Sequence, residues 1–313
     1  MAHKIENNEM MYVGATPWHG LGVKLNDNPS IEDAIKAAGL DWEVQLMPLY
    51  LADGRKVSRQ ASVRTDKNLI LGDVGPGYHV LQNHDAFQWF QPFLESGAAT
   101  LETAGALESG KRIWIQAKIK ADPIEIVKND PVEQYVLLAH AHDGTLAIRC
   151  GFTAQRVVCY NTLSMAVNRS DSQLIRVRHT SAMLDNLEKI QEVMDLSRQE
   201  FIASCEQYKL LASRQISKAD LEKYVKTVFE LPETQKRESK VLTSVVSMFE
   251  HGKGNNMPGV AGTVWAAYNA VTEYMTWEQG RTADARLNKL WFGQNVKTNR
   301  EALEVAVELA KAA

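Results

Sequence analysis

Three cysteines in 313 residues (Cys150, Cys159 and Cys205) are too few and too irregularly spaced for a disulfide framework, so a reduced compartment is expected. No run approaches the roughly 18–20 apolar residues that a membrane helix needs, and no membrane partner is expected. The opening residues, Met1 to Gly14, contain no apolar h-region, so no secretory signal is expected and the cytoplasm is the expected location. Positive charge is not in excess: 35 Lys and Arg face 38 Asp and Glu, for a net charge of −3. That balance disfavours global capture of nucleic acid, so any basic site must be local. The dinucleotide fingerprint G-x-G-x-x-G is absent after any strand signal. Gly252-Lys253-Gly254 lacks the Gly-x4-Gly-Lys-Ser/Thr order of a phosphate loop and follows no strand. No cofactor is expected.

What is present is a soluble composition, 45% apolar and 23% charged, with ample material for a core. Strand signals dominate the first part of the chain. Asp53-Gly54 and Ser109-Gly110 mark hairpins between runs 42–51 and 56–64 and between 98–107 and 111–120. Runs 68–71 and 78–81 read as shorter strands. Ser30 starts a helix that Gly39 stops, and Asn83 caps another from His84 to Leu94, shortened or kinked by Pro92. From Ser181 the pattern turns helical, with apolar spacings of three and four through residues 181–213, 218–229, 234–249, 263–277, 284–292 and 298–312. His251 to Gly262 reads as the one long flexible loop. The expected fold class is α+β: a mainly antiparallel sheet with β-hairpins and packed helices, followed by a helical C-terminal part. The expected division is a platform domain, 1–180, and a helical domain, 181–313.

The segment Glu133 to Asn168 is the organising stretch. Asp143-Gly144 predicts a two-residue turn that sets His142 opposite Thr145, His140 opposite Ala147 and Leu138 opposite Arg149. The strand period of two then places Tyr135, Leu137, Ala139, Ala141, Leu146, Ile148, Cys150 and Phe152 on a core face. His140, His142, Thr145 and Arg149 fall on a face suited to water or a polar ligand. Asn161-Thr162 reads as the N-cap of a short helix over Leu163 to Val167.

Chemistry-bearing constellations are few. His140, His142, Cys150 and Cys159 invite a zinc reading, but this pairing puts Cys150 on the other side of the hairpin from both histidines. The spacing matches no common structural zinc pattern, so no metal is expected. A Cys–His nucleophilic pair fails for the same geometric reason, and no catalytic residue is assigned. What remains is local positive charge. Between Gly144 and Leu184 stand Arg149, Arg156, Arg169, Arg176 and Arg178 against one acid, Asp171. Trp114, Lys118 and Lys120 join them if their strand lies in the same sheet. Cations that track phosphates beside a ring that stacks on bases suit a single strand of nucleic acid.

Several runs resemble the phage/plasmid-like protein family, domain of unknown function 932, found in bacteriophages, prophages and conjugative plasmids. They are residues 16–22 (TPWHGLG), 38–42 (AGLDW), 77–83 (GYHVLQN), 156–163 (RVVCYNTL) and 269–274 (NAVTEY). The resemblance implies kinship with RecT/Redβ-type single-strand annealing proteins. Those are metal-independent and form rings or filaments that hold one DNA strand on a β-hairpin platform. It implies single-stranded DNA, further copies of the chain and a host or phage single-strand binding protein as partners, in the cytoplasm of a bacterial host.

Three functions are therefore carried forward. The first is single-stranded DNA binding and strand annealing during recombination. The second is a phage or plasmid interaction protein that modulates a host factor. The third is an enzyme on a small molecule or nucleotide, with Trp18, His19 and His140 or His142 around a pocket.

Overall fold

Turn chemistry and helix caps shape the elements much as the residue pattern predicts. The computed structural model describes residues 9–14, 22–158, 161–163, 174–191, 194–232, 239–281, 286, 288–290 and 293–312. The chain forms two compact units that interleave in sequence. The first takes Met1–Lys120, Tyr135–Phe152 and Leu174–Met194; the second takes Ala121–Gln134, Thr153–Gln173 and Asp195–Ala313. Compactness thus divides the chain within two of its strands as well as beyond Thr180.

In the first unit, β1 (Met10–Tyr12), β2 (Val23–Lys24), β6 (Ala99–Leu107), β7 (Arg112–Ile119), β9 (Asp130–Ala141), β10 (Ile148–Arg156) and β12 (Leu174–Val177) lie in the order β12-β10-β9-β7-β6-β1-β2. Every pairing whose register is defined is antiparallel except β1 with β2. A separate three-stranded sheet, β3 (Val44–Tyr50), β4 (Lys56–Arg64) and β5 (Leu69–Val74), turns at Asp53-Gly54. Helices α1 (Ile31–Ala37), α2 (Asn83–Gln88), α3 (Gln91–Glu95) and α4 (Met183–Gln191) complete the unit. Ser30 caps α1 by accepting from the Asp33 N–H at 3.1 Å. The expected helix over His84–Leu94 is broken in two, with Pro92 in the first turn of α3. Two readings fail here. Asn83 lies inside α2 rather than capping it, and Tyr78–Leu81 is not a strand.

The core confirms one face of β7, where Ile113, Ile115 and Ala117 join Phe87, Phe90, Leu101 and Trp42. It corrects the face of β9. Val136 and Leu138, not Tyr135 and Leu137, share this core with Ile148 and Cys150. The cause is the connection. Residues His142–Ala147 separate the strands, where a two-residue turn was expected, and one residue of slip exchanges the faces of a strand. Packing explains the longer turn. A Cβ on Gly72 of β5 would lie 2.8 Å from the Asp143 backbone, so strand and turn are already in contact. Asp143 also accepts from the Thr145 N–H and hydroxyl at 2.9 and 2.6 Å, which fixes an Asx turn.

The second unit contains β8 (Ile124–Val127), the start of β9, the end of β10 and β11 (Asn161–Leu163). Asn161-Thr162 is therefore strand and not a helix cap, because Gln155 of β10 pairs with Thr162. The helices with defined bounds that follow are α5 (Met194–Ala212), α6 (Lys218–Val228), α7 (Lys240–His251), α8 (Val264–Trp277) and α9 (Asn295–Ala312); within the expected 284–292 helix the described residues 286 and 288–290 are helical. Ser217 and Thr263 cap α6 and α8. α8 is buried on nearly every side, as an apolar helix at the centre of a bundle must be. Around it Trp265 stacks on Tyr208 at 5.1 Å, and the Tyr268 hydroxyl donates to Asn299 at 2.7 Å.

The loop after α7, expected to be flexible, is organised around a buried arginine. The Arg156 guanidinium is fully buried and pairs with the equally buried Asp130 through two bonds of 2.7 and 2.9 Å. It also donates to Asn255 at 3.1 Å and to the Gly254 carbonyl at 3.0 Å. Trp265 completes the node by donating to Asp130 at 2.8 Å.

Candidate nucleic-acid interface

The arginines that the structure gathers lie at one end of the first unit's sheet. Arg149 on β10 is the direct cross-strand neighbour of Arg176 on β12. Like charges placed opposite each other on antiparallel strands disfavour a sheet, so strand pairing by itself does not account for this placement. Arg112 opens β7, where it pairs with Ala141 at the last residue of β9, and so belongs to the same end. Each of the three sits out of step with its strand's core residues, Ile113, Ile148 with Cys150, and Val177. They therefore share the face opposite the core. Arg149 is half-buried, and its pKa is pushed down by burial first and then by the positive charges of Arg176 and Arg112. The Glu108 carboxylate stands 3.8 Å from Arg112. Arg176 and Arg178 are exposed. Partly desolvated guanidinium forks in a row are suited to bidentate contacts with successive phosphates.

The other expected site residues are elsewhere. Trp114 is only 2% exposed, with its ring against Gly105, where any side chain would collide with it. It offers no face to a base. Arg156 is spent on Asp130 in the second unit and has no surface to offer a phosphate. Lys118 is half-buried and Lys120 exposed, but Lys118 lies six residues along β7 from Arg112, roughly 20 Å at strand rise. Arg169, and with it Trp18, His19 and Cys159, lies outside the described residues. Arg112 was missed by the sequence reading. The signal was there, since extending the alternation of Trp114, Gln116 and Lys118 by one step reaches it.

His140 and His142, expected on a polar face, are wholly buried in the first unit. Their rings lie 4.7 Å apart, and His140 lies 6.0 Å from His179, which stacks on Tyr78 at 4.7 Å. Asn83 donates to the Leu40 and Trp42 carbonyls, which turns its oxygen toward His142; the neutral ring donates Nε2–H to it at 3.0 Å. Neither ring nitrogen of His140 has a hydrogen-bond partner. Burial, then the charges of His179 and Arg64, hold His142 down to about 3. Burial holds His179 to about 4, with the His79 carbonyl opposing it. Burial and its two histidine neighbours push His140 well below its ordinary value. Rings that stay neutral at physiological pH are core, not a wet ligand face. Among the described residues no group of three or more His, Cys, Asp or Glu is placed to hold a metal ion.

The model of the domain of unknown function DUF932 matches residues 70–303. The chain belongs to that family. No curated protein and no solved structure matches it. The matched residues include Arg112, Arg149 and Arg176 as well as the Arg156 node. No helix among the described residues is long and apolar enough to cross a membrane.

Proposed function

We propose that this member of the DUF932 family binds single-stranded DNA and promotes annealing of complementary strands, in the cytoplasm of a bacterial host. The observation that carries the reading is the facing pair Arg149 and Arg176, with Arg112 on the same face of the sheet, and the exposed Arg178 just beyond the end of β12. Such a row supplies phosphate-binding charge without needing a basic chain overall. Annealing and assembly into rings or filaments come from the resemblance to RecT/Redβ-type proteins alone. The apolar stripes that begin at Ser181 add no support for assembly, because they are covered within their own unit. Leu221, Tyr224, Val225 and Val228 of α6, like most of α8, are buried within the second unit.

The test is a fluorescence anisotropy titration with labelled oligo-dT across a salt series. Three to four phosphate contacts give a slope of log K against log salt of about −2 to −3 for a single strand. Absence of binding at micromolar protein in low salt overturns the proposal. Annealing adds a second requirement: complementary labelled oligonucleotides must pair faster with the protein than without it, with no nucleotide or divalent metal added.

A further inference from the structure

A cavity of about 200 Å³ in the second unit is lined by Phe229, Gln279, Lys289, Asn295 and Thr298, with Glu230 and Glu301 also contributing. It lies at the start of α9, where the Lys297 and Thr298 N–H groups donate to the Gln294 carbonyl and those of Asn295 and Val296 have no partner within the helix. The unusual feature is a pair of side-chain amides. Asn295 is 2% exposed, and its buried Nδ2 donor has no hydrogen-bond partner. The buried Oε1 acceptor of Gln279 has none either. They line one cavity, yet they do not bond to each other. Buried polar atoms are normally paired, and an orphan donor and acceptor around one space call for a guest that satisfies both.

We propose that this cavity binds a small, neutral, planar molecule with a carbonyl oxygen beside an N–H, the edge that a nucleobase or other cyclic amide presents. The carbonyl accepts from Asn295 and faces the positive end of α9, while the N–H donates to Gln279. The size of the cavity is below the range for drug-sized ligands and suits one ring system. Two carboxylates against one lysine in the lining disfavour a phosphate inside, so the sugar–phosphate part of any nucleotide must remain outside. The inference stands apart from the arginine row, which lies in the first unit.

Thymidine is the direct probe, titrated by calorimetry or ligand-observed NMR against the full chain. Saturable binding is expected. Asn295→Asp replaces the donor with an acceptor of the same shape, and Gln279→Met removes the acceptor. Each should weaken thymidine by about tenfold or more, the consequence of leaving one buried partner unpaired. Circular dichroism confirms that both variants fold. If one variant fails to fold, the other still decides. Competition with oligo-dT names the source: displacement by the oligonucleotide means a base of a strand enters, and no displacement means a free base or nucleoside. No binding of thymidine, uridine or inosine, each of which presents a carbonyl beside an N–H, at millimolar concentration means a water-filled cavity only and overturns the proposal. So does thymidine binding that both folded variants leave unchanged.

Discussion

Arg149 and Arg156 stand seven residues apart on the same strand, and in the sequence they look like members of one basic cluster. In the structure they do opposite things. Arg156 is sealed inside the second unit, every named contact of its guanidinium going to a carboxylate, an amide or a carbonyl oxygen. Arg149 sits half-buried in the first unit beside two further arginines, and burial first, then their charge, depresses its pKa. The difference separates a charge whose named contacts all lie within one unit's fold from a charge set beside others of its own sign, the arrangement on which the proposed strand-binding surface rests.

The largest expected effect comes from breaking the paired end. Arg156→Met should cost about 3–5 kcal/mol in a urea melt, because Asp130 is left buried and uncompensated. Adding Asp130→Leu should recover part of that loss, though Trp265 then lacks its acceptor. The affinity of the folded fraction for oligo-dT should not change in either variant. Trp114→Ala makes a similar contrast. Loss of a packed indole should cost about 3–5 kcal/mol of stability, with no loss of strand affinity where a stacking role would remove about 1–3 kcal/mol.

An intermediate effect should come from acid. The depressed histidines bind protons more readily when unfolded, so their contribution is complete above an unfolded pKa near 6.5. It is lost as pH falls from there toward about 3–4, where His142 and His179 titrate in the folded chain. Each histidine that stays neutral steepens the stability curve by at most about 1.4 kcal/mol per pH unit. His140→Phe should flatten it between pH 6 and 4, as measured by chemical denaturation at each pH. An unchanged slope would mean that the cluster opens to water. Guanidinium groups in general titrate far above this window, so any loss of strand binding there should follow unfolding rather than precede it.

Much of the fold was legible because local chemistry and packing agreed. Gly54 and Gly110 turn their hairpins with positive φ, and Ser30, Ser217 and Thr263 cap the helices that the apolar spacing predicts. The failures are places where packing overrode local preference. Asp143-Gly144 is drawn into a longer turn against β5, and the slip carries His140 and His142 from the expected wet face into the core. β9 is buried on both faces, so alternation had little polarity to read there. The Gly-rich run after His251 is ordered by an arginine some hundred residues earlier, which no local pattern discloses. At the candidate site, period two already held the answer. An odd separation places Arg149 and Arg156 on opposite sides of an extended strand, whereas Arg112 is in phase with Trp114 and Lys118. What sequence alone could not supply was the pairing of Arg149 with Arg176.

The smallest expected effect on stability belongs to the row itself. Arg176→Ala relieves a like-charge contact at an exposed position and should melt within about 0.5 kcal/mol of the parent, while Arg149→Ala, at a half-buried one, should cost about 1 kcal/mol. Their effect on binding is the most direct test of the account. In an oligo-dT titration from about 50 to about 200 mM salt, the double variant should flatten the log K against log salt slope by roughly 1.4, two contacts at about 0.7 each. A double variant that folds normally and keeps both the affinity and the slope of the parent would contradict it.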